Sequence, residues 1–197
     1  KNIYNADYSI NEKKIKDAIQ RIRESGFENG IHKSISDESF KEELAKLPFK
    51  TVANRNHYLK VKLPDHFRQL DEGGIKLDFS LGFAEMPGFR NSYSAPFRPF
   101  DLENDCPFKV LCIPLQIMDA TLWHYLFLDK EQAKNKIAGL FQNNQHNTVF
   151  SILWHNKFFT NYKFKGYLDV YKWMLREVNN RGWEFVKQGD ILRLYSD

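Results

Sequence analysis

Five residues able to do chemistry close apolar stretches that read as strands: His32, His57, Asp78, Asp119 and His155. The clearest case is the run 149–154, closed by His155 and Asn156. A continuous apolar run of that length reads as a strand buried on both faces, as parallel strands are. In an α/β barrel such strand ends ring one mouth, so residues far apart in sequence are expected to converge there. Imidazole and carboxylate are the donors that zinc and similar divalent ions favour, typically three protein ligands with one position left for water. Metal-bound water is a hydroxide source at neutral pH. A further imidazole outside the metal shell can hand a proton to a leaving group. The set therefore points to metal-assisted hydrolysis of an ester or amide. Arg55 and Arg90 stand beside Asn, Tyr and Phe residues and are suited to orient a carboxylate or polarise a carbonyl, with structural ion pairing as the competing role. Tyr58, Trp154 and the aromatic loop 89–100 offer faces for a sugar, against core packing as the plainer reading. His66 on a short surface helix, His146 in a polar turn and His124 on a helix read as structural.

The elements that must position these residues alternate along the chain. Ser9 and Glu12 form a capping-box pattern ahead of helical spacing at Ile15, Ala18, Ile19 and Ile22, with Gly26 as the stop. A short strand over 27–32, a helix over 36–47 and an extended stretch over 51–62 follow. Pro64 opens a short helix that Gly73 and Gly74 end. Strands are predicted over 75–80, 108–118 and 149–154, helices over 120–127, 130–143 (capped by Asp129) and 166–179, and a final strand or hairpin over 183–186 and 191–195. The segment 91–105 has no helical period and reads as a binding loop. Strand then helix, repeated without a sequence repeat or a linker, predicts parallel strands with right-handed crossovers. An open doubly wound sheet or a barrel would satisfy this pattern. The absence of a Gly-rich phosphate loop favours the barrel.

The chain has 197 residues, 42% hydrophobic and 15% aromatic, enough for one sizeable core. Its 29 basic and 25 acidic residues are intermixed, a solvated surface rather than a phosphate track, so nucleic-acid binding is not expected. Two cysteines, Cys106 and Cys112, make neither a disulfide framework nor a metal spacing. No stretch reads as membrane-spanning or signal-like, and a cytoplasmic setting is slightly favoured.

Read in order, six blocks resemble the polysaccharide deacetylase-like group, a divergent branch of the carbohydrate esterases of family four. They are Gly30-Ile31-His32-Lys33-Ser34, Arg55-Asn56-His57-Tyr58-Leu59, Asp78-Phe79-Ser80-Leu81-Gly82-Phe83, Gly88-Phe89-Arg90, Pro114-Leu115-Gln116-Ile117-Met118-Asp119 and Leu153-Trp154-His155-Asn156. The resemblance covers nearly the whole chain. It implies a distorted (β/α) barrel that removes N- or O-acetyl groups from a glycan with a divalent metal, zinc in first place. In typical members an Asp-Asp pair ends the first strand, one Asp binding metal and the other acting as base. A His-x-x-x-His pair supplies two metal imidazoles, and a later Leu-x-His supplies the acid. Carried over, His32 matches the first metal histidine, His155 the acid, and Arg55 the arginine expected to orient the base.

Two departures stand out. Four residues after His32 is Ser36, so His57 is expected to replace the second metal histidine. No Asp-Asp block is present, and Asp7 is the sole acid among residues 1–9. That block and the first strand are expected upstream of Lys1 or lost. The expectation is thus a single catalytic domain over 1–197, missing its first strand, with Arg90, Tyr58, Trp154, Asp78 and Asp119 serving the glycan. The alternative is a catalytically inert glycan-binding relative. Neither reading fixes the sugar or the oligomeric state.

Overall fold

The computed structural model describes residues 8–144 and 146–195. In chain order the elements are α1 (Lys13–Glu24), α2 (Phe40–Ala45), β1 (Ala53–Asn54), a 3₁₀ turn (His57–Leu59), α3 (Asp65–Glu72) and β2 (Leu77–Asp78). Then come β3 (Phe100–Asp101), β4 (Cys106–Pro107), β5 (Leu111–Cys112), β6 (Leu115–Met118), one π-helical turn (Thr121–Tyr125) and α4 (Lys130–Asn143). The last are β7 (Ser151–Leu153), a 3₁₀ turn (Asn156–Phe159), α5 (Tyr167–Asn180) and α6 (Gln188–Leu194). These group into two compact units. Among the described residues the first comprises 8–80, 97–112 and 187–195, and the second 81–96, 113–144 and 146–186.

In the first unit β1, β2 and β5 form a parallel ladder with Asn54 opposite Asp78 and Asp78 opposite Cys112. Ile31 extends it on the other side of β1 through its bridge to Asn54. The core beneath joins Ile31, Phe40, Phe67, Leu70, Ile75, Phe108, Val110 and Cys112. Ser39 caps α2, its hydroxyl accepting from the Glu42 amide while Glu42 accepts from the Ser39 amide, so α2 starts later than the spacing predicts. Gly26 takes a left-handed φ of 82° after α1, as a helix stop should.

In the second unit β6 and β7 run parallel, Met118 opposite Leu153, and Gly82 bridges to Leu115. Their core joins Ile117, Leu122, Ile137, Phe141, Phe158, Tyr167, Val170 and Met174. Phe158 is fully buried with its ring centroid 4.0 Å from that of Phe164, a burial worth about 2–3 kcal/mol. α4 matches its predicted span, and Asp129 caps it by accepting from the Glu131 and Gln132 amides.

The fold is mixed α/β with parallel strands, and among the described residues no ladder closes into a barrel. Two further predictions are corrected. The single strand over 108–118 is two strands, because Pro114 has no N–H to give a ladder: β5 pairs with β2, and β6 with β7. The C-terminal hairpin is instead the helix α6. Asp190 at its third position accepts from the Lys187 amide and pairs with Arg193, which local helix chemistry favours over a strand. Phe100 and Asp101 pair antiparallel with Cys106 and Pro107, so the segment 91–105 carries one arm of a hairpin.

Candidate functional site

In the second unit the parallel register of β6 and β7 brings together the residues just beyond each strand, Asp119 and His155. Asp119 is fully buried. Its Oδ1 accepts from the Ala120 amide at 2.5 Å and from His155 Nδ1 at 2.7 Å, and its Oδ2 accepts from the His155 amide. With Nδ1 donating to the carboxylate, the neutral ring carries its lone pair on Nε2. The His155 side chain is 41% exposed. A buried carboxylate thus fixes the tautomer and aim of an imidazole that solvent can reach, the arrangement that suits a general acid or base. The register shift between Leu115 and Ile117 lies under this pair, where the Gln116 side chain accepts from the Ser151 amide at 2.6 Å.

Around the pair, Phe158 and Phe164 form a wall beneath Lys157, whose Nζ lies 5.4 and 5.6 Å from their centroids. His124 packs edge-on against the same two rings, in agreement with a packing role. Trp154 is half-buried, with Tyr171 and Tyr167 at 5.4 and 6.0 Å, so its ring serves the core; its Nε1 is buried without a hydrogen-bond partner. Burial, with the Asp119 and Asp129 charges added, pushes the Tyr167 phenol well up, and its hydroxyl donates to the Leu128 carbonyl at 3.0 Å. Arg90 is exposed and donates to the Gly82 carbonyl at 3.2 Å.

The first unit brings His32 and His57 together, ring centroids 5.1 Å apart. The chain at 31–33 runs alongside 53–57, with backbone bonds from Arg55 to Ile31 and from His57 to Lys33. His32 Nδ1 donates to the Arg55 carbonyl at 2.8 Å, since a carbonyl can only accept, which puts the neutral ring's lone pair on Nε2. Tyr58 stacks on His57 at 4.1 Å and is held at φ 57°, a left-handed conformation that a bulky residue rarely adopts. Arg55 lays its guanidinium over the Phe79 ring and donates from Nε to the Phe79 carbonyl at 3.1 Å. Burial pushes this guanidinium down to about 10, against the opposing pull of Asp78, and it remains a cation at neutral pH.

The loop after His32 is locked by a second buried arrangement. Lys33 Nζ meets Glu43 Oε1 at 2.7 Å, and Glu43 also accepts from the Ser34 amide and hydroxyl at 3.0 and 2.6 Å. Burial pulls the Glu43 carboxyl up, but the Lys33 ammonium and the Ser34 donors outweigh it, and the carboxyl falls below its ordinary value.

Asp78 is turned inward, fully buried, rather than toward an open surface. It accepts from Asn54 Nδ2 and Ser80 Oγ, each at 2.7 Å, and from His66 Nε2 at 3.1 Å. Asn56 Nδ2 faces His66 Nδ1 at 3.4 Å. His66 is therefore not a surface residue: it is 4% exposed and belongs to a closed polar network. Sequence reasoning missed it, together with Asn54 and Ser80. The available signal was period two, since Asn54 with Asn56, and Asp78 with Ser80, fall on one face of their strands.

As a metal centre, His32 and His57 provide two imidazoles where a catalytic zinc takes three protein ligands. Among the described residues no group of three or more His, Cys, Asp or Glu is placed to hold a metal ion. The described residues therefore supply two of the three protein donors that a catalytic zinc takes. Asp7 lies outside the described residues.

No family model matches the chain, and no curated protein matches it. Among solved structures it is similar to a proposed polysaccharide deacetylase involved in O-antigen biosynthesis in Bordetella bronchiseptica, at 16% identity and a TM-score of 0.44, covering 91% of this chain and 76% of that one.

Proposed function

We propose that this protein is a carbohydrate deacetylase, a hydrolase that releases acetate from an acetylated glycan or amino sugar. The observation that carries the reading is the Asp119–His155 pair: a buried carboxylate holding, at Nδ1, an imidazole that is partly exposed to solvent. The ordered blocks that resemble polysaccharide deacetylases supply the substrate class. His155 Nε2 takes a proton from the attacking water as its oxygen bonds to the acetyl carbon. The same nitrogen returns that proton to the departing amine or alcohol as the bond to carbon breaks, leaving acetate. Asp119 keeps the ring aimed and stabilises its cationic form between the two transfers. In the second unit Arg90 is proposed to meet the sugar, and in the first Tyr58 is proposed as a stacking face for one.

His32 and His57, both in the first unit, are proposed as two of the donors to a divalent metal, zinc in first place, which when bound would act as a Lewis acid. Among the described residues no third donor joins them. That observation favours a second reading, a glycan-binding relative without turnover. Acetate release from acetylated glycan, followed alongside metal content, separates the two. Turnover that is lost in His155→Gln supports the enzyme. Glycan binding with no acetate from the unaltered protein overturns it in favour of the binder.

A further inference from the structure

The first unit contains a second candidate site, at the opposite ends of the strands that present His32 and His57. A cavity of about 670 Å³ opens where Asn29 and Gly30 lead into Ile31, and Lys50, Thr51 and Val52 lead into β1. That volume is in the range of small-molecule sites. Three features of its lining specify a ligand. First, charge: Arg23 and Lys50 line it, and among the described residues neither is ion-paired to a carboxylate. Lys187 adds a third cation, its Nζ 4.0 Å from the point a Cβ on Gly26 would occupy. The one acid in the lining, Glu28, already accepts from the Gln188 amide at 2.6 Å. Second, flat apolar surface: Phe27 is 69% exposed, and Phe49 carries the Arg23 guanidinium 5.8 Å from its centroid. Third, an unmet acceptor: the Asn29 side-chain oxygen is buried with no hydrogen-bond partner. Such atoms are few in folded proteins and ask for a donor.

We propose that this cavity binds an anionic sugar, a saccharide carrying a carboxylate or a phosphate. The anion is met by Arg23 and Lys50, a ring hydroxyl donates to Asn29, and the C–H face of the ring rests on Phe27. Neither anion nor sugar alone uses all three features. This inference stands apart from the deacetylase reading, since it involves none of the residues assigned to that chemistry.

Isothermal titration of the full chain with glucuronate, glucose 6-phosphate, glucose and inorganic phosphate tests it. At least one anionic sugar is expected to bind saturably, at least tenfold more tightly than glucose or inorganic phosphate. The carboxylate and phosphate arms then identify which anion the site takes. Arg23→Ala and Lys50→Ala, both at exposed positions, should each weaken that binding about tenfold, and Phe27→Ala should weaken it for the sugar phosphate or uronate but not for inorganic phosphate. Equal affinity for glucose, equal affinity for inorganic phosphate, indifference to the Arg23 and Lys50 variants, or no saturable binding up to about 10 mM overturns the proposal.

Discussion

Among the described residues each unit of this protein holds one aspartate–histidine pair at the end of a parallel strand, and the two pairs differ in what surrounds them. Asp78 and His66 are 0% and 4% exposed, and Asn54, Asn56 and Ser80 use up their remaining polar atoms. Asp119 is equally buried, yet its histidine keeps 41% of its side chain in contact with solvent. The carboxylates are alike; the imidazoles are not. A histidine with both nitrogens engaged inside a closed network fixes geometry, whereas one anchored at Nδ1 with its side chain partly in solvent can exchange a proton. Burial of the acid is thus common to a structural and a chemical pair, and access to the base separates them.

Substitutions in the two pairs test this contrast. His155→Gln keeps a donor toward Asp119 but loses the exchangeable ring proton. Acetate release should fall by about 10³-fold with the melting transition nearly unmoved. Asp78→Ala strips a buried acceptor from Asn54, Ser80 and His66, and should cost roughly 3 kcal/mol in denaturant unfolding while turnover of the folded fraction persists. Loss of turnover without loss of stability in Asp78→Ala would reverse the assignment of the pairs. Asp119→Asn, which leaves the ring without its charged anchor, should lower kcat about tenfold to a hundredfold with KM little changed, a split that a merely structural residue would not make.

The smallest effect concerns the Lys33–Glu43 lock beneath His32. Its carboxyl is held below the ordinary 4.5, so the fold favours the charged form. The stabilisation it lends is complete above that value and fades as pH falls through the lowered one. Thermal unfolding between about pH 5 and pH 3 should therefore be less pH-dependent in Glu43→Gln than in the parent.

Much of this arrangement was legible beforehand where local rules act alone. The Asp129 cap and the span of α4 follow from capping chemistry and helical period, and the parallel pairing of 115–118 with 151–153 follows from their mostly apolar character. His155 was readable as a candidate because it follows such a run. Its anchor was not, since the Asp119 contact depends on register between strands over thirty residues apart. His66 was misjudged for the same reason: a helix of eight residues says little about which neighbour it covers. The C-terminal hairpin failed because alternation at 191–195 competes with an equally good helix start at Asp190, and the latter prevails.

One position with no side chain governs the aim of the open imidazole. A methyl group on Gly82 would come within 2.9 Å of both the carbonyl oxygen and the Cβ of Leu115, closer than backbone can tolerate. Leu115 begins the strand that ends at Asp119, and the Leu115 amide is itself tied to the Leu81 carbonyl at 2.8 Å. Any larger residue at 82 must lever that strand sideways, and a lever fixed at one end swings the other. The carboxylate at the far end would move with it, so the tolerance of the proton-handling pair is set by an atom that is not there.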